Sequence, residues 1–97
     1  MSIYIVARIN IRDRAEYANY EAGFLEVFSR YAGKMLSVEE APEVLEGEWS
    51  CTRTVLIEFP GKEDALAWYR SEEYQTLAAH RYAASTADIA LLAGLPG

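Results

Sequence analysis

The hydrophobic pattern of residues 3–11 alternates with a period of two, which is typical of a β-strand. One side carries Ile3, Ile5, Ala7, Ile9 and Ile11, and the other carries Tyr4, Val6, Arg8 and Asn10. The segment therefore predicts a strand with one apolar face and one mixed face.

The next segment changes to a spacing of three and four, which predicts an amphipathic helix of about 18 residues. The residues at this spacing are Tyr17, Tyr20, Phe24, Val27, Phe28 and Tyr31. Asp13 is placed to cap the start of this helix, and Glu16 is placed to return a bond to the cap. Gly33 is expected to stop the helix.

Strand and helix patterns alternate again in the rest of the chain. Strands are predicted at Lys34–Glu39, Arg53–Phe59 and residues 87–92, and helices at residues 63–70 and after Ser71, which can cap the second of them. Residues 43–49 either continue the second strand or pair with it, and Gly47 suggests a bend. Residues 94–97 are expected to form a tail.

The order strand, helix, strand, strand, helix, strand predicts an α+β fold of the ferredoxin-like βαββαβ type. Its sheet would be antiparallel, with the helices on one face. Two domains would need about twice this length, so residues 1–97 are expected to form a single domain. No linker, repeat or low-complexity segment interrupts the pattern.

The helices can cover only one face of this sheet, which leaves a bare face. That face would carry Tyr4, Val6, Arg8, Leu56, Glu58, Ala90 and Leu92. It is too apolar for free exposure to water and too polar for a core, which favours a homodimer that packs sheet against sheet. Tyr4, Val6, Arg8, Leu56 and Glu58 are the predicted interface residues. Arg8 and Glu58 are expected to pair, within or across the protomer. The alternative is a partly solvated sheet on a monomer.

The charge balance narrows the classes of partner. The chain has 9 basic and 15 acidic residues and a net charge of −6, so neither nucleic acid nor an anionic membrane is an expected partner. No apolar run approaches the roughly 18 residues of a membrane span. Cys51 is the sole cysteine, and the start of the sequence has no basic signal region, so a reducing cytoplasm is the expected compartment.

Three polar features could carry chemistry, but each has a simpler structural interpretation. His80 is the sole histidine and a weak candidate for a catalytic general base, yet it lies beside the apolar stripe like a surface residue. Cys51 has no partner histidine placed by a motif. An acidic run lacks the ligand spacing of a calcium loop; it comprises Glu39, Glu40, Glu43, Glu46 and Glu48. The sequence therefore predicts no metal site and no cofactor.

The aromatic residues form the best candidate site. The chain has 7 Tyr, 3 Phe and 2 Trp, and six of these could line a cleft between helices and sheet: Tyr17, Tyr20, Phe24, Trp68, Tyr69 and Tyr74. Arg81 follows on the same helical stripe and could hold a ligand carboxylate or carbonyl in a bidentate manner. The alternative is plain core packing, with Arg81 bridging the helix ends.

Several segments together resemble a known family. They are Val-Leu-Ile-Glu-Phe-Pro at residues 55–60, Trp-Tyr-x-Ser-x-Glu-Tyr at residues 68–74, Ala-Pro-Glu-Val-Leu-Glu-Gly at residues 41–47, and the positions Tyr17, Tyr20, Gly33, Ala65 and Arg81. This combination is similar to the DUF1330 family of small bacterial proteins, in the dimeric α/β-barrel group. The resemblance implies a ferredoxin-like protomer, a homodimer whose sheets close into a barrel, and no established family activity. Gly61 departs from the Ser or Thr expected there, which predicts a looser helix start.

Two functions from different classes remain open, and whether the protein is an enzyme is undecided. The first is a domain that binds a small aromatic or carbonyl compound in the helix–sheet cleft. In it Arg81 would orient the ligand, Tyr20 and Tyr74 would hydrogen-bond it, Trp68 and Phe24 would stack on it, and His80 would shuttle a proton. The second is a non-catalytic dimeric interaction or regulatory module. An open cavity beside Arg81 favours the first, and rings that fill this space favour the second.

Overall fold

The computed structural model describes residues 1–96, and the last residue of the predicted tail, Gly97, lies outside them. The elements in chain order are β1 (Ile3–Ile11), α1 (Arg14–Phe28), β2 (Lys34–Glu39), β3 (Arg53–Phe59), α2 (Lys62–Tyr69), α3 (Glu72–Ala84) and β4 (Ser85–Ala93). The strands form one antiparallel sheet in the order β2-β3-β1-β4. This arrangement confirms the predicted α+β, ferredoxin-like fold.

The register of the central strands separates the two faces of the sheet. Ile5 of β1 lies opposite Ile57 of β3 and Leu91 of β4. The apolar side of the two central strands is buried beneath the helices; it comprises Ile3, Ile5, Ala7, Ile9, Val55, Ile57 and Phe59. The face of the sheet that is buried is therefore the one that the alternating sequence pattern predicted.

The start of α1 follows half of the predicted capping arrangement. The backbone N–H of Glu16 donates to Oδ1 of Asp13 at 3.1 Å, as expected. The side chain of Glu16 does not return the bond, because it accepts from His80 Nδ1 at 2.8 Å and from Asn19 Nδ2 at 2.9 Å. The reciprocal half of the capping box was wrong for this reason.

The end of α1 lies earlier than predicted. The helix stops at Phe28 and has 15 residues, because the N–H groups of Arg30 and Tyr31 bond to carbonyls only three residues back. This tighter turn closes the helix before Gly33. The later caps agree with the sequence: Ser71 Oγ accepts from the N–H of Tyr74 at 3.1 Å, and Gly61 makes no side-chain cap bond.

Residues 43–49 contain no strand in the described chain, so both predicted alternatives for this segment were wrong. The segment is exposed, and it makes a turn at Gly47, whose φ of 77° lies in the left-handed region that glycine adopts without strain. Pro42 precedes it and offers no N–H to a neighbouring strand.

The last helix passes directly into the last strand. Ser85 is both the C-cap residue of α3 and the first residue of β4. Its backbone N–H bonds to the carbonyl of Arg81, and its Oγ donates to the same carbonyl at 2.7 Å. The last turn of α3 is thereby fixed to the edge of the sheet.

The molecule is a thin slab of 39 × 37 × 16 Å, with helices on one side of the sheet and a bare face on the other. Glu58 lies opposite Tyr4, and the two side chains approach at 3.4 Å. Arg8 lies opposite Thr54, four residues further along β1, and stacks on the ring of Trp49 at 4.7 Å. The predicted pairing of Arg8 with Glu58 within the protomer was therefore wrong. Among residues 1–96, no helix combines the length and apolarity that a membrane span requires.

Candidate functional site

A cavity of about 350 Å³ lies between the helical layer and the buried face of the sheet. Its floor comes from β1, β3 and β4, including Ile5, Ala7 and Ile89. Its mouth lies between α1 and β2, because the lining residues Leu25 and Val38 are 70% and 45% exposed. The space is therefore connected to solvent at one side and closed by core residues at the other.

The structure brings the five predicted ligand-binding residues together around this cavity. They are Tyr20, Phe24, Trp68, Tyr74 and Arg81. Adjacent ring centroids lie 5.6 Å apart for Tyr20 and Phe24, 6.1 Å for Phe24 and Trp68, and 4.3 Å for Trp68 and Tyr74. Most of the wall consists of such ring faces and aliphatic side chains, which suits an apolar ligand body.

Two tyrosine hydroxyls form the polar part of the aromatic wall. The hydroxyl oxygens of Tyr20 and Tyr74 lie 2.8 Å apart, and either can donate to the other. Burial raises the pKa of Tyr20 far above its ordinary value, so this hydroxyl stays neutral. One proton satisfies the bond between the two oxygens, so the pair keeps a second O–H proton that can be donated to a ligand.

Arg81 is a buried cation in the wall of the cavity. Its side chain belongs to a residue that is 3% exposed, and among residues 1–96 no carboxylate lies within ion-pair distance of it. Its guanidinium carbon lies 4.8 Å from the ring centroid of Tyr82 and 5.9 Å from that of Tyr20. Its Nε and Nη2 atoms are buried and have no hydrogen-bond partner within the described chain. Aromatic faces, rather than an anion, therefore surround this charge.

A second arginine at the cavity was not among the predicted site residues. Nη1 of Arg53 lies 3.3 Å from Glu21 and 3.7 Å from Glu40, so its charge is already paired. Arg14 also binds Glu40 at 2.9 Å, and this hydrogen bond lowers the pKa of the Glu40 carboxyl. The sequence contained one indication that Arg53 could reach the cavity: in the alternating pattern of β3 it lies on the same face as the buried residue Val55.

The structure does not bring the candidate catalytic histidine to the cavity. His80 is partly exposed on α3, and its Nδ1–H donates to Oε1 of Glu16 at 2.8 Å. This bond lowers the pKa of Glu16. Cys51 does not line the cavity either, and its Sγ lies 3.3 Å from Oγ1 of Thr54. The part of the chain that the structure describes contains no group of His, Cys, Asp and Glu side chains that could hold a metal ion.

The arrangement of strands and helices gives the fold class of the protein, and a comparison with protein families gives its family. A four-stranded antiparallel sheet covered on one face by helices is the ferredoxin-like α+β class. Residues 2–95 match the family described as domain of unknown function (DUF1330), and the chain belongs to this family. A comparison with curated proteins finds no match.

Solved structures share the fold at low sequence identity. RPA0582 from Rhodopseudomonas palustris, a protein of unknown function, has a TM-score of 0.81 and 20% identity over 99% of this chain and 84% of that chain. SnoaB from Streptomyces nogalater, a cofactor-independent oxygenase, has a TM-score of 0.71 and 14% identity over 99% and 95% of the two chains. A dimeric ferredoxin-like protein of unknown function from Thermobifida fusca has a TM-score of 0.67 and 9% identity over 96% and 91%. These likenesses show the fold alone.

Proposed function

We propose that this chain binds a small aromatic or carbonyl compound in the cavity between its helices and its sheet. The observation that supports the proposal most strongly is the cavity itself, with about 350 Å³ of space beside Arg81 and six aromatic residues in its wall. Ligand pockets in proteins typically have volumes of about 300–1,000 Å³, so a compound of one or two rings fits the lower end of this range.

The wall offers separate contacts for the body and the polar group of such a ligand. Phe24 and Trp68 present ring faces to its apolar body. The hydroxyl pair of Tyr20 and Tyr74 offers one proton, and Arg81 offers further donors. The proposal concerns binding, and the lining residues assign no reaction.

Tryptophan fluorescence tests this proposal, because the two tryptophans lie in different places. Trp68 lines the cavity, whereas Trp49 contacts Arg8 on the bare face of the sheet. In a Trp49→Phe variant, the emission of Trp68 should change saturably when one- and two-ring aromatic acids, ketones or quinones are titrated. In the matched Trp68→Phe variant, the emission of Trp49 should not change. A full panel without a response from Trp68 would contradict the proposal.

We also propose that two copies of the chain pair through the bare face. In support, Tyr4, Val6, Arg8, Leu56 and Glu58 leave this face half-buried in a single chain, and one structural neighbour is described as dimeric. A mixed face of this kind suits a homodimer interface. This arrangement would also serve the alternative function, a dimeric interaction module without a ligand.

Sedimentation of two matched variants tests the pairing. The wild-type protein should sediment with about twice the 10.9 kDa mass of one chain. Leu56→Glu places a charge on the bare face and should give a monomer. Ala79→Glu adds the same charge on the exposed side of α3 and should leave the dimer intact. A wild-type monomer at micromolar concentration would contradict the interface.

A further inference from the structure

Unpaired buried donors are concentrated at the cavity. Within the described chain, five buried side-chain nitrogens have no hydrogen-bond partner, and four of them belong to residues of the cavity wall. These four are Nε of Arg53, Nε1 of Trp68, and Nε and Nη2 of Arg81. Buried polar groups are nearly always paired in folded proteins, so such a concentration needs an explanation. All four are donors, so a group that satisfied them would have to be an acceptor.

The charges of the two cavity arginines indicate the sign of that acceptor. Arg53 is paired with Glu21 and Glu40, whereas Arg81 is buried without any carboxylate partner in residues 1–96. A buried guanidinium without a counter-charge is costly, and an anion beside it would remove most of that cost. An acceptor that binds in this cavity is therefore expected to carry a negative charge and to bind at Arg81 rather than at Arg53.

The two unpaired atoms of Arg81 also define a geometry. Nε and Nη2 lie on one edge of the planar guanidinium, and their N–H bonds point the same way. A carboxylate places two oxygens at the spacing of this edge, whereas a neutral carbonyl has only one oxygen to offer. Building on the binding function proposed above, we infer that the ligand is an aromatic carboxylate whose two oxygens are bound by Nε and Nη2 of Arg81. Because both atoms are buried in the ligand-free chain, binding requires the guanidinium to turn toward the cavity. The ring of the ligand lies against Phe24 and Trp68.

Three compounds with the same two-ring body show how much of the affinity comes from the carboxylate and how much from the rings. 2-Naphthoate, methyl 2-naphthoate and 2-naphthamide share a two-ring body and differ in charge. Calorimetric titration of the wild-type protein should show the acid binding more tightly than either neutral compound by about tenfold or more, as charge-assisted bonds require. The Arg81→Met variant should bind all three with similar, weak affinity. Arg81→Lys should retain only part of the selectivity, because an ammonium group has no planar fork.

A matched charge change shows whether the effect is local to the cavity. Arg70 is exposed at the end of α2 and does not line the cavity. Arg70→Met removes the same charge and should leave the preference for the acid unchanged. A parallel loss of selectivity in Arg70→Met would overturn the inference, since net charge alone would then explain the binding of the acid.

Thermal unfolding with and without the acid separates a binding role of Arg81 from a purely structural one. The acid should raise the Tm of the wild-type protein and of Arg70→Met but not of Arg81→Met. The ligand-free Tm of Arg81→Met combines the removal of an unpaired buried cation with the loss of its contacts with the rings of Tyr20 and Tyr82. A rise of the Tm in Arg81→Met equal to that of the wild type would overturn the inference.

The outcomes distinguish this inference from the binding function on which it rests. If the ester and the amide bind as tightly as the acid, the cavity binds aromatic compounds but the carboxylate assignment is wrong. If none of the three binds and the wider aromatic panel also fails, both proposals are wrong. If Arg81→Met does not fold, the comparison of acid with ester in the wild type and in Arg81→Lys still decides the point.

Discussion

The aromatic layer under the helices has a packed end and a hollow end. At the packed end, formed by Phe28, Gly33 and Phe59, a Cβ atom on Gly33 would lie 2.5 Å from Cζ of Phe28 and 2.7 Å from Cζ of Phe59. At the hollow end, Tyr20 and Arg81 border a cavity of about 350 Å³. The same kind of side chain therefore fills space completely at one end and encloses it at the other. Since the packed end shows that these rings can reach close packing, the cavity is a local property of the hollow end.

The largest expected effect compares two phenylalanines one turn apart on α1. Phe28 is buried and packs in an edge arrangement on Phe59 and Trp68, whereas Phe24 borders the cavity. Phe28→Ala should lower the free energy of unfolding by about 3–5 kcal/mol. Phe24→Ala should cost clearly less, because Phe24 is only partly buried and already borders the cavity. Urea unfolding of both variants measures the difference, and equal losses would contradict the distinction between the two ends.

The next effect concerns added volume rather than lost volume. Gly33→Ala forces a methyl group against two packed rings and should lower the free energy of unfolding by about 1–3 kcal/mol. Ala7→Val adds volume at the floor of the cavity and should raise the free energy of unfolding by about 0.5–2 kcal/mol. The same Ala7→Val variant should weaken 2-naphthoate binding. A destabilised Ala7→Val variant would indicate that the floor of the cavity is already full.

A smaller effect should come from the hydroxyl pair at the hollow end. Tyr20→Phe removes one partner of the 2.8 Å bond to Tyr74 and should lower the free energy of unfolding by about 1 kcal/mol. The exposed Tyr82 bonds Gln75 at 2.8 Å, and Tyr82→Phe should change stability by less than about 0.5 kcal/mol. Thermal or urea unfolding compares the two. Equal losses in the free energy of unfolding would indicate that the buried hydrogen bond contributes no more to stability than the surface one.

The smallest effect lies outside both ends, at the contact of His80 with Glu16. Hydrogen bonds from His80 and Asn19 lower the pKa of Glu16 below its ordinary value of 4.5. The stability gained from this shift is present above pH 4.5 and is lost as the pH falls through the lower folded pKa. The Tm difference between the wild type and Glu16→Gln should therefore shrink in that acidic range. A difference independent of pH would contradict the role of the carboxylate.

The sequence predicted the layers of the fold because each layer depends on local periodicity. The alternation around Ile5 and Ile57 fixed which face of the sheet is buried, and Ser71 marked the start of α3. Local patterns failed where a side chain had a choice of partners. Glu16 bonds His80, which is distant in sequence, instead of returning to its own cap.

The residues of the candidate site were predictable as a group, but their arrangement was not. Tyr20, Phe24 and Tyr74 stand at helical spacing, so a shared aromatic wall followed from the pattern. Whether such rings fill a space or surround it depends on packing between distant elements, which periodicity does not contain. The lining residues Met35 and Val38 were missed for a related reason: the register of β2 shifts between Met35 and Ser37, so a simple alternation does not describe this strand.

The direct passage from α3 into β4 has a consequence for insertions and deletions. Ser85 bonds the carbonyl of Arg81 twice and begins the strand that pairs with β1, so the register of the sheet also sets the rotation of the helix. One extra residue at this junction would rotate the helix against the sheet by about 100°. Arg81 would then leave the cavity wall even if every element still formed. Tyr74 and Ala78 share the buried face of the helix with Arg81, so a one-residue insertion at this junction would disturb both the cavity wall and the packing of α3.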